Sequence, residues 1–166
     1  MKNVASLLKN RKSNREIVDN KDFEIIKNLI NSSYDQLESQ HTVASAGSLF
    51  GLTLNIFTKN RKYSKTIDSD YFIEEFSFET IKKNCFPDDL FFSEESILIA
   101  IDVNYNLYSE KYSNCAIRYA SIEAGEVLQN IQLLLLEIGI QGYTLGFVPF
   151  DEVLNLQEVL IFYVIY

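Results

Sequence analysis

The chain has 166 residues, of which 47% are hydrophobic and 13% aromatic, and it carries only two prolines and six glycines. This composition excludes an extended disordered protein and predicts a single domain over residues 1–166. The formal net charge of −8 argues against nucleic acid as the main partner.

Two cysteines, Cys85 and Cys115, and a single histidine, His41, lack the spacing of a metal site. The first residues contain no signal-peptide apolar segment. We therefore expect free thiols, a cytoplasmic location and no bound metal. The longest apolar run, residues 159–166, is shorter than the roughly 20 residues of a membrane-spanning helix, so it predicts a buried strand and no membrane contact.

The pattern of apolar residues predicts an α+β domain. In chain order we expect a helix at residues 2–9, a helix at 21–38, a loop at 41–48, a strand at 52–58, a loop or hairpin at 59–70, a short helix at 78–84, a strand at 96–103 and a last strand at 158–166. The run at 96–103 is apolar throughout, which is typical of a strand in the centre of a sheet.

Residues 118–138 form the clearest predicted element, a helix of about 20 residues and nearly 30 Å in length. Its apolar residues cover most of its circumference, which is typical of a helix buried in a domain or at a subunit interface. Gly125 in its middle costs about 1 kcal/mol relative to alanine, so we expect close packing there. Gly139 is expected to end the helix, and a loop follows it.

Five of the six glycines lie in two short segments, residues 47–51 and 139–146. One interpretation is that a flat ligand lies between the two loops. The other is ordinary turn chemistry at two junctions between helices and strands.

The first candidate for chemistry is the alternating set Arg11, Ser13 and Arg15. Alternate residues of an extended segment point the same way, so two guanidinium groups and a hydroxyl can face one anion. The alternative is a solvent-exposed basic link, in a region where seven of the 15 Lys and Arg residues fall within the first 27 positions.

The second candidate is the pair Lys111 and Tyr112, just before the long helix. A lysine acts as a base when burial or a neighbouring cation lowers its pKa, and an adjacent tyrosine can share the proton. A surface lysine beside a half-buried tyrosine is the commoner fate of such a pair. We interpret Glu123 and Glu126 as partners of the positive end of the helix dipole, without a catalytic role.

Taken in order, these motifs resemble the nitroreductase superfamily, and within it the SagB-type azoline dehydrogenases of thiazole- and oxazole-modified peptide biosynthesis. The resemblance runs over nearly the whole chain. Its motifs are R-x-S-x-R at residues 11–15, S-A-G-S-L at 45–49, K-Y at 111–112, R-Y at 118–119, I-E-A-G-E-V-L-Q-N at 122–130, and G-I-Q-G followed by L-G-F at 139–147.

The resemblance implies an α+β, nitroreductase-like fold, in which helices flank a central, mostly antiparallel sheet and two chains intertwine as a homodimer. It also implies FMN at the interface between the two subunits. The implied contacts to FMN are the phosphate and ribityl chain for Arg11, Ser13 and Arg15, the flavin of the partner subunit for Ser45, Ala46, Gly47 and Ser48, and the flavin ring for Leu145 and Gly146.

The implied activity is the FMN-dependent oxidation of peptide thiazolines or oxazolines to thiazoles or oxazoles, with Lys111 and Tyr112 in proton transfer. The implied partners are a precursor peptide and a cyclodehydratase complex. Two alternatives stay open, an NAD(P)H-dependent nitro- or flavin reductase and a flavin-free scaffold of the same fold. The chain departs from the family pattern at Ala44, where a proline is usual, and at Phe147, where a second glycine is usual.

Overall fold

The structure is a computed structural model that describes residues 3–17, 22–79, 93, 95–145, 156 and 159–165. Its helices are α1 (Val4–Asn10), α2 (Phe23–Ser33), α3 (Tyr105–Tyr112) and α4 (Ala116–Glu137). Its strands are β1 (Gln36–Leu37), β2 (Gln40–His41), β3 (Leu52–Phe57), β4 (Arg61–Lys65), β5 (Phe72–Glu75), β6 (Ile97–Val103), β7 (Tyr143–Leu145) and β8 (Val159–Ile165).

Six strands form the main sheet in the order β5-β4-β3-β6-β8-β7, and every neighbouring pair is antiparallel. β6 lies between β3 and β8, and all seven of its residues are buried. The predicted central strand is therefore confirmed. β5 forms one edge, where Phe72 and Ile73 are exposed.

Side-chain alternation along the strands gives the sheet two different faces. One face packs against α2 and α4 in the main core, which includes Leu54 and Ile56 of β3, Ile99 of β6, Ile30 of α2 and Ile131 of α4. The opposite face carries a smaller apolar cluster with members Phe57, Phe78, Leu98, Ala100, Phe162 and Val164. Helices α2 and α4 therefore cover one face of the sheet and do not cover the other.

The long helix and its end agree with the sequence. α4 begins two residues before the predicted start and ends at Glu137. Gly139 adopts φ +84°, the left-handed conformation that ends many helices at glycine. The close packing expected at Gly125 is wrong for the single chain, because a Cβ built there meets no atom within 4 Å. No helix in the described part of the chain is long and apolar enough to cross a membrane.

The helix predicted at residues 21–38 is too long, because α2 ends at Ser33. Serine competes with helical hydrogen bonding, which favours an end at the serine pair. The Asp35 N–H then donates to Thr42 Oγ1 at 3.0 Å, and the Thr42 N–H donates back to the Asp35 carbonyl at 3.0 Å. These bonds hold β1 against β2, and Leu37 lies 57% exposed outside the helix that was predicted to bury it.

Several elements were not predicted. β2 and a 3-10 turn at Ala46–Ser48 fall in the loop expected at 41–48, and β7 falls in the loop expected after Gly139. Helix α3 was not predicted, and neither was β5. The helix expected at 78–84 lies mostly outside the described residues, as does Cys85.

Replacing Gly142 with alanine tests the packing of β7 on β8. A Cβ at Gly142 overlaps the Val164 carbonyl oxygen and lies 2.9 Å from the Tyr163 ring. Because Val164 is held in the sheet, we expect Gly142→Ala to lower the free energy of unfolding by about 3 kcal/mol. Gly139→Ala, where the Cβ meets nothing, is the matched control and should cost about 1 kcal/mol. Equal losses in urea unfolding would contradict this assignment.

Candidate functional site

The small-residue loop Ser45–Ser48 lies at the entrance to β3 and has an unusual backbone. Gly47, Ser48 and Phe50 adopt φ values of +63°, +55° and +47°. Ser48 and Phe50 are not glycine, and such residues keep this conformation only where their surroundings hold them. Ser45 supplies part of the restraint, since its hydroxyl accepts the Phe50 N–H at 2.9 Å and its carbonyl accepts the Ser48 N–H at 3.0 Å.

Helix α3 brings the predicted catalytic pair to this loop. Lys111 Nζ donates to the Gly47 carbonyl oxygen at 3.1 Å, across 64 residues of sequence. A Cβ on Gly47 would overlap Lys111 Nζ and lie 2.6 Å from the Tyr112 hydroxyl. The structure therefore unites two motifs that the sequence analysis treated separately. Glycine is required at position 47 both for its positive φ and for this close approach.

The Lys111 side chain is exposed in the single chain. Tyr112 is half-buried, and its ring centroid lies 4.5 Å from that of Tyr119. The pair therefore has the exposure expected for the commoner case, a surface lysine beside a half-buried tyrosine. Both side chains nevertheless contact the small-residue loop at Gly47.

A buried carboxylate that the sequence analysis set aside lies beneath the loop. Glu123 is only 1% exposed, and its two oxygens accept the Tyr34 hydroxyl at 2.9 Å and the Tyr108 hydroxyl at 2.7 Å. The Tyr108 oxygen accepts the Gly51 N–H at 3.0 Å, and the Tyr34 oxygen accepts the Leu52 N–H at 3.3 Å. Glu123 is thus linked through two phenols to the backbone at the entrance to β3.

The helix-dipole interpretation of Glu123 and Glu126 is wrong. The first turn of α4 contains no acidic residue, and both side chains have specific partners farther along the helix. Glu126 Oε2 accepts the Ala44 N–H at 2.9 Å. Asn130, one turn on, donates to the carbonyls of Ser33 and Thr42 at 3.2 and 3.1 Å. One face of α4 therefore fixes the chain that leads into the loop.

Burial in this network changes the acidity of its phenols. Desolvation raises the pKa of Tyr34 and of Tyr108 well above the ordinary tyrosine value, and the Glu123 carboxylate raises both further. Both hydroxyls therefore keep their protons, and so continue to donate to Glu123, at any pH near neutrality.

The predicted phosphate ligands lie in a second place. The segment after α1 runs beside the chain that enters β7, where the Lys12 N–H donates to Gln141 Oε1 at 3.0 Å and the Asn14 N–H donates to the Gly142 carbonyl at 3.0 Å. Arg11, Ser13 and Arg15 are exposed along it.

Both arginines of this segment lie near aromatic rings of the sheet. The Arg15 guanidinium lies 5.1 Å from the centroid of the Tyr143 ring. The charge of Arg11 partly offsets the rise that burial causes in the pKa of Tyr163. Leu145 is half-buried at the end of β7, and Gly146 and Phe147 lie outside the described residues.

The two places are at opposite ends of the sheet. Leu52, next to the small-residue loop, pairs with Val103 at one end of β6. Tyr143, next to Arg15, pairs with Val164, which pairs with Leu98 near the other end of β6. Strand rise and spacing place the two groups roughly 20 Å apart within one chain. The described parts of the two glycine-rich segments, residues 47–51 and 139–145, therefore lie far apart within a single chain.

Comparison with known proteins gives a fold. No protein-family profile matches the sequence, and no curated protein is similar to it in sequence. The structure is similar to a putative nitroreductase from Ralstonia eutropha, with a TM-score of 0.74, 13% identity, and coverage of 99% of this chain and 81% of that one. It is also similar to a nitroreductase family protein from Streptococcus pneumoniae, with a TM-score of 0.71, 15% identity and coverage of 99% and 90%.

A third similar structure is a chain of the E. coli microcin synthetase complex McbBCD, solved with truncated pro-MccB17 bound. Its TM-score is 0.72 at 16% identity, with coverage of 99% of this chain and 73% of that one. The chain therefore has a nitroreductase fold. The predicted α+β class with a mostly antiparallel central sheet is confirmed.

The buried phenols predict a loss of stability at alkaline pH. Their folded-state pKa values are raised, so above pH 10 the unfolded chain loses protons that the folded chain keeps. Stability is full below about pH 10 and falls above it, by up to about 1.4 kcal/mol per pH unit for each tyrosine. We expect Tyr34→Phe and Tyr108→Phe each to flatten this slope in urea unfolding between pH 9 and 11. Tyr105→Phe, outside the network, should leave the slope unchanged, and an unchanged slope in all three variants would refute the network.

Proposed function

We propose that this chain is an FMN-dependent oxidoreductase that oxidises thiazolines or oxazolines in peptides, and that two copies of the chain complete each site. The observation that carries the proposal is the contact of Lys111 and Tyr112 with Gly47, on a nitroreductase fold. It joins the candidate proton-transfer pair to the loop with the close-approach backbone. The reduction of a nitro group does not require a Lys-Tyr pair at this position, so the pair favours the dehydrogenase.

The residues present suit FMN in their chemistry. Arg11, Ser13 and Arg15 are exposed on a segment with an extended start, which offers two guanidinium groups and a hydroxyl to a phosphate. At the other place Gly47 presents backbone without a side chain. A separation of roughly 20 Å keeps these two groups from sharing one cofactor within a single chain, so each site requires the loop of a second copy.

One face of α4 supports association of two copies. Ile122 is 53% exposed, and a Cβ built on Gly125, three residues on, meets no other atom. The two residues follow each other at helical spacing and so share one face. An exposed apolar residue beside an open glycine suits a close helix contact with a partner.

The reaction removes one hydride and one proton from the five-membered ring. A bound FMN would supply the hydride acceptor. Lys111 Nζ would accept the proton, and Tyr112, whose hydroxyl lies on the same side of Gly47, would relay it toward solvent. The hydrogen bond to the Gly47 carbonyl orients Lys111 on the loop that would face the flavin. Similarity to a chain of a synthetase complex with truncated pro-MccB17 bound supports a peptide substrate and a cyclodehydratase partner.

A stand-alone NAD(P)H-dependent nitro- or flavin reductase is the second candidate, supported by the two nitroreductase neighbours. The two enzymes differ in their electron source. Rapid bleaching of the bound flavin by NAD(P)H favours the reductase. Bleaching by a thiazoline peptide, with recovery in air, favours the dehydrogenase. If the protein stays colourless after incubation with FMN, both enzyme functions are excluded and the flavin-free scaffold remains.

Subunit complementation tests whether the site is shared. Arg15→Glu places a carboxylate at the phosphate position, and Gly47→Val overlaps Lys111 and opposes a φ of +63°. We expect each variant alone to lose FMN. Refolded together in equal amounts, they should regain about a quarter of the wild-type flavin content, because half of the dimers are mixed and each holds one intact site. No recovery in the mixture, from variants that fold, would place the whole site in one chain.

Lys111→Ala tests the proton-transfer role in the flavin-loaded protein. We expect FMN to be retained while the turnover number for a thiazoline peptide falls by about 10²–10⁴, the usual contribution of a general base. Lys9→Ala, on exposed helix α1, is the matched control and should leave turnover unchanged. A Lys111→Ala protein that keeps its flavin and its turnover would remove Lys111 from the mechanism.

A further inference from the structure

A cavity of about 510 Å³ lies on the sheet face opposite α2 and α4. Its lining includes Leu49, Gly51, Thr53, Asn55, Lys62 and Asp102. The volume is within the range of about 300–1,000 Å³ for small-ligand sites. The cavity borders the small-residue loop, because residues 49–51 contribute to its wall.

Asn55 gives this cavity an unsatisfied donor. Leu54 and Ile56 pack against the helices, so the side chain between them points to the opposite face. Asn55 is 2% exposed, and its Oδ1 accepts the Ser64 hydroxyl at 2.7 Å, which fixes Nδ2 as the free end of the amide. Nδ2 is buried with no hydrogen-bond partner among the described residues. Such a group is rare in folded proteins and calls for an acceptor from outside the chain.

The charges of the lining restrict the ligand. The exposed carboxylate of Asp68 lies on the wall of the cavity, and Lys62 is paired with Glu74 at 3.4 Å. The acidic side chain of Asp68 disfavours anions, including the phosphate of FMN. The apolar walls at Leu49 and Leu107 favour a ligand with uncharged parts. A neutral amide satisfies all of these conditions, because its carbonyl accepts from Asn55 and its N–H faces a carboxylate.

We propose that this cavity binds a main-chain amide of an extended peptide, with the peptide carbonyl accepting a hydrogen bond from Asn55 Nδ2. A peptide held there passes beside the small-residue loop. The site would thus hold residues that flank a reacting ring. This inference rests on the proposed function, because it names a binding site for the peptide substrate. Peptide binding is measured without turnover, so a failure of this inference can be told apart from a failure of the proposed function.

The direct test is a titration of the ¹⁵N-labelled full chain with a synthetic hexapeptide of glycine, serine and cysteine with blocked ends, followed by nuclear magnetic resonance. We expect saturable shifts of the Asn55 side-chain amide and of the Thr53 backbone, with and without added FMN. An Asn55 side-chain signal that is unmoved by the peptide would overturn the proposal. So would a shift caused by FMN or riboflavin and not by the peptide.

Two variants separate ligand binding from a structural role. Asn55→Leu, alone or combined with Ser64→Ala, removes the unsatisfied donor, so we expect at least tenfold weaker peptide binding together with a Tm about 2–4 °C higher. Asn130→Leu is the matched control, because that amide donates two hydrogen bonds and its loss should lower Tm. A lower Tm for both Asn55 variants, with peptide affinity unchanged, would make Asn55 a structural residue and sink the assignment.

Discussion

The candidate site depends on one buried carboxylate. Glu123 lies under the entrance to β3 and holds two phenols, each of which holds a backbone N–H of that entrance. A buried charge is tolerated only where its oxygens are well bonded, and here the hydroxyls meet that condition. Because α4 also fixes Ala44 through Glu126, the long helix anchors the loop from below. The left-handed residues of the loop and its contact with Lys111 follow from this arrangement.

The same helix connects the two parts of the site. α4 begins near the small-residue loop and ends just before the chain that contacts Asn14. The part of α4 from Glu123 to Glu137 is about 21 Å long, which matches the separation of roughly 20 Å between the loop and the arginines. In the proposed dimer, the second copy of the chain would bring the two groups together.

Much of the architecture could be predicted from local pattern. The apolar run at 96–103 and the long periodic segment at 118–138 each match one element, because hydrophobic period and length decide those cases. α3 could not be found this way, since Tyr105–Tyr112 is mostly polar and buries only Tyr108. β5 is an exposed edge strand with two glutamates, and this composition is more typical of a loop.

The motifs of the candidate site can be found in the sequence, but the contacts between them cannot be predicted from it. Lys111 and Gly47 belong to separate sequence motifs, and nothing local indicates that they touch. The role of Glu123 could not be predicted because its partners, Tyr34 and Tyr108, lie 89 and 15 residues away in the chain. The spacing of polar residues along the long helix does indicate that Glu123 has a buried partner. Glu123, Glu126 and Asn130 share a helix face that is otherwise apolar, and polar side chains on a buried face require partners.

The edge formed by β5 has a consequence for how copies of the chain meet. An open edge strand with exposed Phe72 and Ile73 is a template for further strands, and hence for aggregation. Glu74 and Glu75 lie on the same strand, and Asp68 and Asp70 precede it. Like charges on two such edges disfavour their pairing. The acidic residues therefore protect the exposed apolar residues of β5 against aggregation.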